Sequence, residues 1–185
     1  LKKTNALVEG HFVLSSGLHS SKYIQCAKLL SYPFIANKIC NSLAKKINNK
    51  FKSIDLILAP AMGGVIIGYE IGRILKKETI FCERVNGKFM LRRGFHIKKG
   101  AKVLIIEDVI TTGKSSLECV KLITKSKAKL IGFASIIDRS TKKNLKIKKN
   151  IISQIRIEVP TFKKNQLPDT LKNTPITIPG SRFIK

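Results

Sequence analysis

Acidic residues are scarce in this chain. Its 185 residues include 11 Asp and Glu against 36 Lys and Arg, so the formal net charge is +25 and the sequence pI is near 10.2. Such a charge favours polyanionic partners, among them nucleic acid and phosphorylated small molecules. The lysines are nevertheless spread among Asn and Ile, as in residues 45–50 and 142–150, and are not gathered on one element. We therefore attribute the overall charge to an AT-rich genome and do not favour a nucleic-acid partner.

Long apolar runs and paired cysteines are missing as well. No apolar run approaches the roughly 18 residues that a membrane span needs, and the amino terminus lacks a signal-peptide pattern, so we expect a cytoplasmic protein. The cysteines at positions 26, 40, 82 and 119 show no C-x-x-C spacing. This indicates reduced, buried thiols rather than a zinc site or a disulfide framework. With 43% hydrophobic residues, residues 1–185 are expected to form a single domain with a sizeable core.

The most informative stretch is residues 103–116. It opens with four consecutive aliphatic residues, which predict a buried parallel strand at 101–107. Glu107 and Asp108 stand at the carboxyl end of this strand, a Thr-Thr-Gly loop follows, and Ser115 is placed to cap a helix that continues to about residue 126. In open α/β sheets, ligands bind at the carboxyl ends of strands. Loop amides, hydroxyls and a helix amino terminus predict a phosphate cradle there, beside two acids suited to sugar hydroxyls or a metal ion.

The flanking patterns complete an α/β fold with a central, mainly parallel sheet flanked by helices. A second strand–glycine–helix unit lies at 55–75, where Met62-Gly63-Gly64 forms the turn. Beyond residue 160 the chain has little core character, and a turn is expected at 179–182. The other predicted elements are two short strands around a Ser15-Ser16-Gly17 turn, the second at 21–26, a helix at 33–47, and strands at 55–61, 79–83, 130–138 and 151–159.

Residues 84–95 form a long basic segment punctuated by glycine. A loop of this length is either functional or disordered. On spacing alone, a solvated β-hairpin and an active-site lid are about equally favoured.

Several of these motifs together resemble one enzyme family. Residues 103–116 resemble the phosphoribosyl diphosphate (PRPP) signature of type I phosphoribosyltransferases: a hydrophobic strand, two acids, small or hydroxylated residues and a glycine. The segment from Glu9 to Ser20 (EGHFVLSSGLHS), with Tyr23-Ile24-Gln25-Cys26, is similar to the hood of orotate phosphoribosyltransferases, in particular the short bacterial form. Further matches follow in the same order: Ala-Pro-Ala-Met-Gly-Gly-Val at 59–65, Arg-Arg-Gly-Phe at 92–95, Asp138-Arg139 and the terminal Pro-Gly-Ser-Arg.

The resemblance covers nearly the whole chain and implies the type I phosphoribosyltransferase fold. Residues 1–32 and 160–185 would form a small hood, and the basic segment a flexible lid that reaches into the neighbouring site of a homodimer. The implied reaction is the Mg²⁺-dependent transfer of ribose 5-phosphate from PRPP to N1 of orotate, giving orotidine 5′-monophosphate and pyrophosphate in pyrimidine biosynthesis. Such a reaction builds positive charge on the ribose and negative charge on the leaving group, so it needs positioning and charge stabilisation rather than a protein nucleophile.

The resemblance also implies a role for each matching residue. Glu107 and Asp108 would bind the ribose hydroxyls, directly or through Mg²⁺ that is held mainly by PRPP, with Asp108 as a candidate ligand. Thr111 and Arg139 would contact orotate, whose carboxylate suits a guanidinium. His11 and His19 would be structural hood residues, and His96 a strand residue after the lid. The 5′-phosphate would be held by Val109, Ile110, Thr111, Thr112, Gly113, Lys114 and Ser115, and pyrophosphate by Met62, Gly63, Gly64, Arg84 and Lys88 with Arg92 or Arg93.

The chain departs from the longer members of the family, and two other functions stay open. The longer members carry lysine at the position of Ser15 and near Gly63, and an Arg-Lys pair where this chain has Arg84-Val85.

A purine phosphoribosyltransferase is one alternative function, although neutral bases need no carboxylate partner such as Arg139. The other is a PRPP-sensing nucleic-acid-binding regulator on the same fold, which the charge of +25 keeps open.

Overall fold

The computed structural model of the protein describes residues 1–14, 17–141, 144–148 and 151–178. The chain forms two compact units, one made of Leu1–Tyr32 with Glu158–Lys185 and the other of Pro33–Ile157. No helix of the described segments is long and apolar enough to cross a membrane.

The elements in chain order are β1 (Leu7–Val13), β2 (His19–Ile24), α1 (Cys26–Leu30), α2 (Pro33–Lys50), β3 (Leu56–Pro60), α3 (Gly63–Leu75), β4 (Glu78–Val85), β5 (Lys88–Met90), β6 (Lys102–Ile110), α4 (Lys114–Lys125), β7 (Lys129–Asp138), β8 (Ile151–Arg156), β9 (Thr161–Phe162), α5 (Asp169–Lys172) and β10 (Ile176–Thr177).

The larger unit is built on a six-stranded sheet in the order β5-β4-β3-β6-β7-β8. All its pairs are parallel except β4–β5, which is an antiparallel hairpin. β3 and β6 lie at the centre as neighbours, with Leu56 opposite Val103. Parallel strands in one sheet bring their carboxyl ends to the same edge, so the segments that follow β3, β6 and β7 meet there. The predicted mainly parallel sheet is confirmed.

Helices cover both faces of this sheet. Leu58 of β3 belongs to the same buried cluster as Cys119 and Ile123 of α4. Ala59, the next residue of β3, points the other way, because an added Cβ at Gly68 of α3 would lie 2.8 Å from its Cβ. On that second face α2 packs on α3 and contacts β7 and β8. Burial on both sides explains why every residue of β3 is buried and why these strands read as continuous apolar runs.

The smaller unit is a four-stranded sheet in the order β10-β1-β2-β9. His11 of β1 and His19 of β2 are buried, and Nε2 of His11 lies 2.7 Å from Nδ1 of His19. Nδ1 of His11 is 3.1 Å from the Thr174 carbonyl. A carbonyl only accepts, so Nδ1 of His11 carries the proton there. The two histidines thus connect β1, β2 and the segment before β10, which is the structural role predicted for them.

Several predicted boundaries are wrong, and long-range pairing explains most of the differences. β6 continues three residues past its predicted end at Glu107, because Val109 and Ile110 pair with Ile137 and Asp138 of β7. β2 begins at His19 rather than at residue 21, since His19 pairs with Val13 of β1. Ser15, Ser16 and the turn expected at 179–182 lie outside the described residues.

Two predictions near the site are also wrong. α4 begins at Lys114 with Gly113, not Ser115, as its N-cap, because Gly113 adopts the left-handed conformation and its carbonyl accepts the first helical hydrogen bond, from the Leu117 N–H. His96 is not a strand residue, since it lies in the irregular connection between β5 and β6. That connection makes turns at Arg93-Gly94 and Lys99-Gly100, where both glycines have positive φ.

Candidate active site

The two acids at the end of β6 project to opposite faces of the sheet. Glu107 is buried beneath α4, where the Ser116 hydroxyl donates a hydrogen bond to its carboxylate. Asp108 lies on the α3 side, where a Cβ added to Gly63 would come within 2.6 Å of its carboxylate. The alternation of side chains along a strand dictates this arrangement. The acids therefore have different surroundings although they are adjacent in sequence.

Glu107 is a buried carboxyl group with few compensating charges. Burial raises its pKa to about 7, and the neighbouring charge of Asp108 acts in the same direction. Hydrogen bonds from Ser116 and the positive charge of Arg84 oppose the increase. Near neutral pH, Glu107 consequently exists in both protonation states.

Asp108 is held against the amino end of α3. Burial raises its pKa, while the Val109 N–H, which donates to Oδ1 over 2.8 Å, lowers it. The free amides of a helix amino terminus favour negative charge nearby. Gly63 is needed at this point because any side chain would occupy the space of the carboxylate. The turn after β3 and the end of β6 are thus packed directly against each other.

The loop after β6 brings two threonine hydroxyls to the amino end of α4. Thr111 and Thr112 are exposed, and the Lys114 N–H lies 3.3 Å from the Thr112 hydroxyl. Gly113 has φ +73°, and an added Cβ would lie 2.6 Å from the side chain of Ile147. Both the conformation and the close contact require glycine here. The loop therefore delivers two hydroxyl groups and the amino end of the 12-residue helix α4 to one place, as phosphate binding requires.

Arg139 lies beside this loop. Its backbone N–H donates to the Ile110 carbonyl over 2.8 Å, and Asp138 is the register partner of Ile110. Thr111 and Arg139 therefore leave neighbouring strands side by side. The Asp138 carboxylate accepts a hydrogen bond from the Ser140 N–H over 2.8 Å, which fixes the backbone just after Arg139.

The turn after β3 brings a second set of backbone amides to the same edge of the sheet. The Ala61–Met62 peptide bond is cis, and Met62 is 83% exposed. A Cβ at Gly64 would lie 3.0 Å from the Ile106 carbonyl, so α3 begins in close contact with the backbone of β6. Gly63 is thus next to Asp108, between Met62 and Gly64, and pyrophosphate binding by this turn stays a prediction.

The basic segment contains the β4–β5 hairpin. Asn86 and Gly87 both have positive φ and form a two-residue turn between Val85 and Lys88, which are register partners. Lys88 is exposed on β5, the edge strand, and β4 and β3 separate it from β6. Of the two structures that the sequence allowed, the hairpin is the one observed for residues 83–90. A lid function for it stays a prediction.

The arginines of this segment are engaged with carboxylates. Arg92 and Arg93 lie 3.8 and 3.2 Å from Oε1 of Glu83, with side chains that are 58% and 61% exposed. Arg84 lies on the α4 side, where its Nη1 is 2.8 Å from Glu118. The structure thus brings together five predicted parts of the site: Glu107, Asp108, the loop 109–115, the turn 62–64 and Arg139. The other predicted cations lie apart from these, Lys88 on the edge strand β5 and Arg92 and Arg93 just after it.

Sequence reasoning missed Ser116 and Glu118, the α4 partners of Glu107 and Arg84. A signal existed for Ser116. It shares the spacing of Cys119 and Ile123, the other buried residues of α4, and this three- and four-residue periodicity marks the face of the helix that packs on the sheet. Glu118 had no such signal, because its partner is 34 positions away on another element.

Known proteins resemble the chain over its whole length. The family described as "Phosphoribosyl transferase domain" matches residues 35–166. The orotate phosphoribosyltransferase of Erythrobacter litoralis is 43% identical over 183 residues, covering 98% of this chain and 94% of the relative. That of Caldicellulosiruptor bescii is 44% identical over 181 residues, with the same coverages.

Solved structures with lower identity share the fold. An orotate phosphoribosyltransferase from Aeropyrum pernix superposes with a TM-score of 0.69 at 21% identity, covering 85% of this chain and 91% of that one. An adenine phosphoribosyltransferase from Saccharomyces cerevisiae gives 0.67 at 16% identity, covering 83% and 97%. The fold is therefore that of type I phosphoribosyltransferases, and by its full-length similarity the chain belongs to the orotate phosphoribosyltransferase family.

Proposed function

We propose that the protein transfers ribose 5-phosphate from PRPP to N1 of orotate, giving orotidine 5′-monophosphate and pyrophosphate, as a step of pyrimidine biosynthesis. The observation that carries the proposal is the 43–44% identity to orotate phosphoribosyltransferases over 98% of the chain. The fold alone cannot select the acceptor, because adenine and orotate enzymes superpose on it almost equally well. We also propose a cytoplasmic homodimer.

The 5′-phosphate is assigned to the loop 109–115. Its amides and the amino end of α4 supply donors, and the hydroxyls of Thr111, Thr112 and Ser115 add more. A loop that is anchored by the contact between Gly113 and Ile147 does not have to order itself when the phosphate binds. The phosphate then fixes the position of the ribose relative to the acids.

The ribose hydroxyls are assigned to the two acids. The Asp108 carboxylate lies at the edge of the sheet where the loop and the turn 62–64 meet, and Glu107 lies on the α4 side. Loss of pyrophosphate leaves oxocarbenium-like positive charge on the ribose. A carboxylate in partly buried surroundings stabilises such charge more strongly than it would in water. The acids thus act by electrostatics and orientation, and no protein nucleophile is required.

Mg²⁺ is proposed as the cofactor, bound mainly through PRPP. The described residues contain no group of three or more His, Cys, Asp or Glu that could hold a metal ion by themselves. This fits Mg²⁺, which is commonly bound through one or two carboxylates together with substrate oxygens. Asp108 is the candidate protein ligand, and the ion would supply charge neutralisation for the pyrophosphate.

Orotate is assigned to Arg139 and Thr111, which leave adjacent strands beside the phosphate loop. A guanidinium binds a carboxylate through two parallel hydrogen bonds. Adenine and hypoxanthine carry no carboxylate, so Arg139 favours orotate over purine bases. Pyrophosphate is assigned to the amides of Met62, Gly63 and Gly64, together with Lys88 and Arg92 or Arg93 of the lid, which would reach the site of the neighbouring subunit.

The test is a direct assay that follows orotate absorbance with PRPP and Mg²⁺ present. Uracil, hypoxanthine and adenine serve as alternative acceptors under the same conditions. Of the four bases, we expect only orotate to be consumed, with formation of orotidine 5′-monophosphate and pyrophosphate. Turnover of a purine base without turnover of orotate would refute the proposal. Salt-sensitive binding of nucleic acid that PRPP modulates, again without orotate turnover, would favour a regulator instead.

A further inference from the structure

Arg84 makes three contacts within its own chain. Nη1 lies 2.8 Å from Oε2 of Glu118 on α4 and donates to the Gly87 carbonyl over 2.5 Å. Phe89 on β5 is the register partner of Arg84, and its ring centre lies 4.1 Å from the guanidinium carbon. One side chain thus connects the hairpin turn, both hairpin strands and α4.

These contacts join an arginine that is partly exposed to partners that are more buried. The side chains of Arg84 and Glu118 are 35% and 23% exposed, and Phe89 belongs to the buried cluster that also contains Cys119 of α4. An ion pair in such surroundings is less screened than one at the surface. The guanidinium also stacks on an aromatic face, which adds a cation–π contribution. Arg84 therefore has the environment of an anchoring residue.

The same contacts are unfavourable for binding pyrophosphate. A phosphate group that approached Arg84 would meet the negative charge of Glu118 within a few ångströms. Lys88, in contrast, is exposed, and Arg92 and Arg93 present side chains that are more than half exposed. Among the described residues, no carboxylate pairs with Lys88, so this cation can turn towards an anion without leaving a buried acid unpaired. Arg92 and Arg93 share Glu83, whose side chain is 22% exposed, and can replace each other as its partner.

We propose that Glu118 is a positioning residue that holds Arg84 as an internal anchor between the β4–β5 hairpin and α4. Arg84 then ties the lid to the helix whose amino end forms the phosphate cradle, and it does not itself contact pyrophosphate. The proposal deepens the proposed function, on which its kinetic consequences rest. A hairpin attached in this way gives Lys88 a fixed base from which to reach the site of the neighbouring subunit.

A charge swap separates an anchor from a ligand. We expect Arg84→Glu and Glu118→Arg each to lower kcat/KM for PRPP by about 10-fold or more, because each places like charges together. The double variant restores the ion pair in reverse and should recover to within about 5-fold of the parent protein. If Arg84 binds pyrophosphate, the double variant stays as poor as Arg84→Glu alone, and the proposal is wrong.

Neutral variants provide a second test should a swapped charge prevent folding. Arg84→Met and Glu118→Gln should weaken PRPP binding, measured by calorimetry, by similar factors, and the double variant should be no worse than either single one. A normal Glu118→Gln protein beside an inactive Arg84→Met protein would identify Arg84 as a ligand and overturn the proposal. Glu70→Gln is the matched control, because it breaks the 2.8 Å pair with Arg73 on α3 and should leave PRPP binding unchanged.

Limited proteolysis gives a readout that does not depend on orotate chemistry. Loss of the anchor should increase cleavage within residues 84–95 in both single charge variants, and the swapped pair should return the parent rate. This result would hold even if the acceptor were another base, so failure of the anchor and failure of the proposed reaction are distinguishable. Equal cleavage rates in all four proteins would overturn the anchoring role.

Discussion

Replacing Glu107 with Gln should stabilise the protein at alkaline pH while it damages the site. Burial raises the pKa of Glu107 from its ordinary value of 4.5 to about 7. The folded protein therefore binds this proton more tightly than the unfolded chain does. Stability from this group is fully present below about pH 4.5 and is lost as pH rises through about 7.

The magnitude follows from the same pKa difference. Each pKa unit corresponds to about 1.4 kcal/mol, so the shift of Glu107 amounts to about 3 kcal/mol between acid and alkaline pH. Glutamine is nearly isosteric, stays neutral and can still accept the hydrogen bond from Ser116. At pH 8 the variant should therefore unfold with a free energy up to about 3 kcal/mol higher than the parent. For a chain of this length that corresponds to an increase in Tm of roughly 6–12 °C.

The assay is thermal unfolding of the parent and of Glu107→Gln, without substrate, between pH 5 and pH 8. The two melting temperatures should be similar at pH 5 and should separate steadily towards pH 8, and kcat/KM for PRPP should fall in the variant. Glu78→Gln, which removes an exposed carboxylate, is the control and should follow the parent at every pH. Parallel curves for Glu107→Gln and the parent would refute the reasoning, since Glu107 would then titrate normally.

Three further predictions concern neighbouring positions. Arg139→Ala should raise the orotate KM roughly 10- to 100-fold through loss of a charged hydrogen-bonded pair, with a much smaller change in the PRPP KM; an equal effect on both would count against the carboxylate role. Asp108→Asn should lower kcat/KM for PRPP by a similar factor in steady-state kinetics, and an unchanged value would exclude Asp108 from the ribose site. Gly113→Ala should lower stability in thermal melts by about 1–3 kcal/mol, from its left-handed conformation and the contact with Ile147; an unchanged Tm would show that the loop adapts freely.

The sequence predicts much of the larger unit because its strands are buried on both faces. Their apolar runs are local signals, so β3, β6 and β7 were found from composition and length. The end of β6 was missed because Val109 and Ile110 owe their strand structure to pairing with β7, which no local pattern reveals. The Gly113 cap was missed for a related reason. Gly113 lies in close contact with Ile147, a residue 34 positions away, and no local pattern reveals this contact.

The carboxyl-terminal part shows the limit more clearly. Residues beyond 160 have little apolar periodicity, yet Leu171 is buried and β10 pairs with β1 through His11 and Phe12. Strands of two residues have no signal of their own and are defined by the partner strand. In the site, the resemblance identified Glu107 and Asp108 together, and strand alternation places them on opposite faces. The groups that each acid contacts follow from the positions of α3 and α4.

The order of these two acids is fixed by the packing. A double substitution that exchanges them, Glu107→Asp with Asp108→Glu, would conserve charge, composition and local sequence character. The longer side chain would then meet the amino end of α3, where even a single added carbon on Gly63 has no room. The shorter one would withdraw from Ser116 and leave a small void under α4. The acidic pair therefore behaves as two separate positions, each matched in length to one helix, and a chain that reversed them would have to move both helices to regain the site.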